Sequence, residues 1–385
     1  MIDHRAVPVL FLLIVLLSGC ARAERSESIP TPDDREATPA STAPAAAATP
    51  AAAETFTPIP EPGSSPTAIP ERSPTPALAE PAARPVTETD CCGLFSWVGE
   101  TQLMVFDSPA GAPSGTRIVH VETGDHAFIS PGYGLPSPAG VIAFLEPDED
   151  SLMIRDTDGA LTSALPTGAS AGWPSPDGSA IAWLAPLPIR TPSSSVNRSV
   201  QMHVADLETG SARAVLDLQA ASINWLPDNR HVIVAARDVN FGSSGIWKID
   251  THTGQYEILH QELFARAERV SPDGSAVAFM RLFNDDPLKN GLWSLNINSG
   301  DLRFVFDSGS YRWDPDSKHV WRLDMSVTGQ QSDHLERISI ETSEIVERVA
   351  LEGQILNERW ELSPDGRFIA FWRHEDGLVV VQRLR

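Results

Sequence analysis

Lysine is almost missing from this sequence. It occurs three times in 385 residues against 26 arginines, and 29 Lys+Arg face 51 Asp+Glu for a formal charge of −22. No basic block interrupts that acidity, which excludes an electrostatic nucleic-acid binder. Cysteine also occurs only three times, too few for a disulfide framework in a chain of this size. The longest apolar run, Ala6–Leu17, is too short to span ~30 Å of hydrocarbon. The ten histidines are scattered. There is no His-Glu-x-x-His, no Gly-x-Ser-x-Gly elbow, no phosphate loop and no paired zinc cysteines. The motifs therefore call for no catalytic residue, no metal and no cofactor.

What is present is unevenly spread. Residues 1–90 hold six basic and twelve acidic residues, a charge of −6; the remaining 23 and 39 give −16 beyond. All ten tryptophans follow residue 90, whereas 15 of the 32 prolines precede it. One uniform domain is excluded. Residues 1–19 have the length of a signal peptide: a short polar start with Arg5, then the apolar run. Leu17-Ser18-Gly19-Cys20 resembles the bacterial lipobox, which implies lipidation of Cys20 and stable membrane attachment by more than one acyl chain. Residues 20–88 are rich in Pro, Ala, Thr and Ser, and Phe56 is the only aromatic among them. With so little to bury, the segment reads as a disordered, partly polyproline-II tether.

Residues 89–385 repeat. Ser-Pro-Asp-Gly stands at 175–178, 271–274 and 363–366, with degenerate copies starting at Ser137, Leu226 and Asp314 and the weakest at Val98. A period near 40–45 residues is that of a four-stranded propeller blade. An apolar run follows each turn, such as Ile181–Leu184 or Val277–Met280, and Thr-Gly type turns close most copies, as at Thr209-Gly210 and Thr253-Gly254. Val, Ile, Phe and Trp bounded by Gly, Asp and Pro predict strands throughout. In the turn, Pro presets φ, Asp caps and Gly supplies a left-handed residue, so the repeated Asp is structural first. Trp97, Trp225 and Trp313 precede their turns directly, a repeated slot that predicts blade packing.

These units, best seen in Ser271–Phe279 and Ser363–Phe371, resemble the TolB-like, WD-repeat-like β-propeller repeat. The resemblance implies the fold and not the activity. It extends to extracytoplasmic propeller lipoproteins of bacteria. The expected fold is an all-β propeller of four-stranded blades. Seven blades are favoured, with six plus an irregular N-terminal element as the alternative. The last copy has three strands, and Val86–Asp90 is expected to close it as the fourth. The variable loops Asp107–Thr116, Ala185–Ser199, Arg237–Ser244, Leu282–Asn290 and Asp324–His334 gather at the end opposite the repeated turns, and binding is expected there.

Few residues suggest chemistry. Cys91 and Cys92 form a strained vicinal disulfide or remain two buried thiols; a metal pair is less favoured, because no His lies nearby. Arg281 and Arg373 occupy one slot at the end of the second strand, with Arg237 and Arg322 within two residues of it. Together they would clamp a carboxylate or phosphate; the simpler expectation is that each pairs with a nearby acid, such as Asp238 or Asp324. His203, His231 and His319 read as sheet-surface residues. The functional expectation is a non-enzymatic, monomeric binding module, lipid-anchored outside the membrane at the cell envelope. Its expected partner is a protein, peptide or glycan. The alternative is a propeller lyase or hydrolase with its active site in the central channel.

Overall fold

The computed structural model describes residues 83–88, 94–109, 111–145, 151–166, 171–187, 199–220, 222–238, 243–262, 265–282, 289–324 and 332–384. The expected signal peptide, Cys20, most of the expected tether, Cys91, Cys92 and much of the variable loops lie outside them.

The chain is an all-β propeller, with no α-helix among the described residues. Blade 1 comprises Leu94–Trp97, Gln102–Asp107, Gly115–His120 and His126–Ser130; blade 2 comprises Gly134–Pro136, Ile142–Leu145, Ser151–Arg155 and Leu161–Pro166. Blade 3 is Gly172–Pro174, Ala180–Pro186, Val200–Asp206 and Ala212–Gln219; blade 4 is Asn224–Trp225, His231–Asp238, Ser244–Asp250 and Tyr256–Gln261. Blade 5 is Ala265–Val270, Ala276–Arg281, Gly291–Asn296 and Leu302–Phe306; blade 6 is Ser310–Trp313, His319–Leu323, His334–Ser339 and Ile345–Ala350. Blade 7 takes Ile355–Leu362, Phe368–Arg373 and Val379–Arg383 from the end of the chain and Arg84–Pro85 from its beginning. Each is an antiparallel sheet, in sequence order in blades 1 to 6; blades 3 and 4 join into one sheet where Leu218 and Gln219 pair with Asp238 and Arg237.

Burial explains why the second strands are apolar without alternation. Ile181 and Trp183 enter a core cluster shared with blade 2, whereas Ala182 and Leu184 enter the cluster shared with blade 4. Leu103, Met104 and Val105, and Ile369, Ala370 and Phe371, divide the same way. A strand covered on both faces needs apolar residues at consecutive positions. Seven such clusters lie one to a junction, including one that joins blade 7 to blade 1. The core is therefore a ring of interfaces, each large buried side chain contributing about 1.5–3 kcal/mol.

The turns repeat to the atom. The Asp177 Oδ1 accepts from Ser175 Oγ at 2.7 Å, Ser179 N at 2.9 Å and Ser179 Oγ at 2.8 Å. Asp273 makes the same three bonds with Ser271 and Ser275. The serine oxygen in turn accepts from the backbone of Ala180 or Ala276, each at 3.0 Å. In blades 4 and 6 a histidine joins the turn: His231 and His319 each place Nδ1 2.7 Å from Oδ2 of Asp228 and Asp316. Their place is thus fixed by a turn carboxylate and not by the sheet surface alone. His203 does lie on its sheet, stacked on Trp183 with centroids 5.2 Å apart.

The closing strand starts upstream of the expected segment. Arg84 and Pro85 pair with Val381 and Val380, and Val86 N–H donates to Val379 O at 2.8 Å. Proline suits this outer edge because it has no N–H to leave unpaired. Thr87 then turns inward, and its Oγ1 accepts from Val379 N at 2.9 Å.

Candidate functional site

Three of the four arginines singled out by their slot are well supplied with partners. Arg281 sets Nε 2.5 Å from Glu262 Oε2 and lies over the Trp293 ring at 4.4 Å. It also donates to His260 Nε2 at 3.2 Å; burial, with Arg281 beside it, holds His260 below its ordinary pKa. Arg322 donates Nε–H to Glu336 Oε2 at 2.9 Å, and Arg348 donates to the other oxygen at 2.9 Å. Burial opposes charge on Glu336, but the two guanidinia hold its carboxyl below the usual range. Arg373 grips both oxygens of Asp376, at 3.1 and 2.5 Å. Arg237 lies in register with Gln219 and Ser244. Arg281 thus pairs with Glu262, Arg322 with Glu336 and Asp307, and Arg373 with Asp376, each a nearby acid as the simpler expectation had it.

A different set of charges converges on the central channel. Counting back from the first residue of each repeated turn, the third residue is buried in every blade: Phe95, Gly134, Gly172, Ile223, Glu268, Tyr311 and Trp360. The second residue is half-buried in every blade. It is Ser96, Leu135, Trp173 and Asn224 in blades 1 to 4, and Arg269, Arg312 and Glu361 in blades 5 to 7. The innermost strand thus presents alternate residues to the channel.

Neighbouring tryptophans fix this level. The indole N–H groups of Trp97, Trp225 and Trp313 donate to the carbonyls of Glu361, Trp173 and Arg269 at 3.1, 2.9 and 2.9 Å. Each bond runs from the residue just before one turn to the channel-lining residue of the preceding blade. The repeated slot is therefore one of blade packing, and it holds the backbone of the lining residues in place while their side chains project inward.

Glu361 bridges two guanidinia. Arg269 NH2 lies 3.3 Å from Oε1, and Arg312 Nε donates to Oε2 at 2.8 Å. Arg269 belongs to blade 5 and Glu361 to blade 7, so their contact skips blade 6 and spans the channel mouth. Arg312 also donates to Tyr311 O at 2.7 Å and lies over the Trp360 ring at 4.9 Å. The side chains remain 40% (Arg269), 14% (Arg312) and 25% (Glu361) exposed, so solvent reaches them. Arg359 stands one alternate position further in, over Trp372 at 5.8 Å. Tyr133 feels both Glu361 and Arg359; burial first, then Glu361, raise its hydroxyl pKa. Glu268, buried behind the lining, accepts from Ser222 Oγ at 2.5 Å and Ala235 N at 3.3 Å.

Three guanidinia and two carboxylates leave this region positive within a strongly acidic molecule. Burial disfavours charge on Glu361, yet Arg312 and Arg269 hold it ionised well below the usual carboxylate range. Burial, and then Arg269, pull Arg312 below its ordinary value, as expected of two like charges sharing one counter-ion. Such an arrangement has the charge and the donors that an anion would need. Sequence reasoning passed over Arg269, Arg312, Arg359 and Glu361. The available signal was position: three charged residues in one slot of consecutive repeats. Among the described residues no group of three or more His, Cys, Asp or Glu is placed to hold a metal ion.

No family model matches the chain, and no curated protein matches it in sequence. Solved structures do match in fold. An oligogalacturonate lyase from Vibrio parahaemolyticus is 11% identical with a TM-score of 0.56, covering 73% of this chain and 86% of that one. Hydrazine synthase from Kuenenia stuttgartiensis is 13% identical at a TM-score of 0.51, over 81% of this chain and 99% of that one. TolB from Acinetobacter baumannii is 15% identical at 0.41, over 73% and 79%. At such identities the likeness is one of fold.

Proposed function

We propose that the chain is a lipid-anchored recognition module of the cell envelope, whose propeller binds its partner at the central channel. The observation that carries this reading is the Arg269–Glu361–Arg312 bridge, a polar constellation that supplies hydrogen-bond donors and charge on a rigid ring. Leu17-Ser18-Gly19-Cys20 and the proline-rich 20–88 segment support attachment outside the membrane on a long tether. Exchange of Cys20 for alanine tests the anchor. The Cys20→Ala chain is expected in the soluble fraction of expressing bacteria and the unaltered chain in the membrane fraction. Equal partitioning of the two would remove the lipid from this reading.

A propeller enzyme is the second reading. It is favoured by one observation: Tyr133, Glu361 and the channel arginines come from different blades to one place. Incubation of the full chain with oligogalacturonate, followed by ultraviolet absorbance for an unsaturated product, tests a lyase. The binding reading expects no product.

A further inference from the structure

We propose that the channel ring two residues before the turns is a site for an organic carboxylate, which Arg269 and Arg312 receive in competition with Glu361. The proposal rests on the reading of the propeller as a binding module and names the chemistry of its ligand.

The donor count favours it. Each guanidinium carries five N–H donors. Among the described residues Arg269 uses one on Glu361, and Arg312 uses one on Glu361 and one on Tyr311 O. Most of the donors of these two cations are therefore not committed to a protein acceptor among the described residues. The backbone carbonyl of Arg269 is occupied elsewhere, accepting from the Trp313 indole. The side chains can thus reorient without disturbing the ring.

Geometry favours a carboxylate over a more highly charged oxyanion. Glu361 already meets one guanidinium with each oxygen, so the space between the arginines fits a planar, two-oxygen acceptor. Glu361 also remains beside any ligand. Its repulsion grows with the ligand's local charge, which disfavours a dianionic headgroup relative to a single carboxylate. The other half of the ring is uncharged. The same slot holds Leu135 in blade 2 and Trp173 in blade 3, the latter packed against the core between blades 3 and 4.

The carboxylate of Glu361 therefore acts as a resident competitor, and this gives the site an unusual signature: removing one charged side chain strengthens binding, and removing the others weakens it. The test is isothermal titration of the full chain with benzoate, its neutral counterpart benzamide, and inorganic sulfate. Benzoate is expected to bind at least about ten-fold tighter than either of the others. Arg269→Gln with Arg312→Gln is expected to weaken benzoate about ten-fold or more, and Glu361→Gln to tighten it about three-fold or more. Thermal melting of every variant separates lost binding from lost fold. Should the double variant fail to fold, Arg312→Lys keeps the charge, loses the planar fork and is expected to weaken benzoate several-fold. Unmeasurable benzoate binding, sulfate binding as tight as benzoate, or a weaker Glu361→Gln chain each overturns the proposal. The Cys20→Ala result leaves these titrations unaffected, so failure of the anchor and failure of this site are distinguishable.

Discussion

Asn229 and Ser317 hold the glycine position of their turns with φ of 57° and 60°. A non-glycine residue in that conformation costs about 1–2 kcal/mol. The compensation lies in the neighbouring blade. Asn229 Oδ1 accepts from Asp177 N, and Ser317 Oγ accepts from Asp273 N, each at 3.0 Å. The sequence marked both copies as degenerate, but the reason was not legible there, because the contacts join residues 52 and 44 positions apart. Ser317→Ala keeps the strain and loses the bond; a loss of about 1–2 kcal/mol is expected in urea unfolding. Ser317→Gly loses the bond but relieves the strain, and is expected within about 0.5 kcal/mol of the unaltered chain. Equal losses for the two would show that the cross-blade bond, and not φ, decides this position.

At the scale of the element, the Pro-Asp turn is an acid-sensitive device used in five blades. Partial burial works against charge on Asp177, Asp228, Asp273, Asp316 and Asp365, but turn hydrogen bonds prevail and hold each below the ordinary Asp value. A carboxyl depressed in the folded state stabilises the fold above its unfolded pKa, about 3.9, and loses that contribution as the pH falls through the folded value. The melting temperature is therefore expected to hold steady from about pH 7 to 5 and to fall below about pH 4. Asp273→Asn should lower the melting point at neutral pH and narrow the gap between neutral and acid. A variant with an undiminished gap would take Asp273 out of the acid response. These turns and the strands after them were legible because their chemistry is local: Pro, Asp and Gly act within four residues. The closing strand was misplaced because Arg84–Pro85 carries no strand signal of its own. It is extended by pairing with Val380 and Val381.

At the scale of the whole molecule, sequence and structure part at the channel. The sequence pointed to variable loops and to Arg237, Arg281, Arg322 and Arg373, whereas the convergent charges stand on the innermost strands near the repeated turns. Arg269 and Glu361 are 92 residues apart, and only closure of the ring brings them together. Closure itself has two parts. Blade 7 meets blade 1 through Phe368, Ala370, Val379 and Val381 against Phe95, Trp97, Leu103 and Val105. The first described residues add a backbone latch: Val86 N to Val379 O, Val379 N to Thr87 Oγ1, and Val86 packed against that same cluster. A chain starting at residue 90 keeps the hydrophobic junction and loses the latch. The latch's two hydrogen bonds at about 1 kcal/mol each and one half-buried valine amount to about 3 kcal/mol, and the Arg84–Pro85 pairing with Val381 and Val380 and the bonds of Ala83 and Glu88 are lost with them. Its third strand also becomes an open edge. The truncated chain is therefore expected to fold, to melt several degrees lower, and to self-associate with rising concentration in sedimentation velocity. If it melts with the full chain and stays monomeric, the hydrophobic junction alone holds the ring shut, and the channel cluster does not depend on Arg84–Thr87.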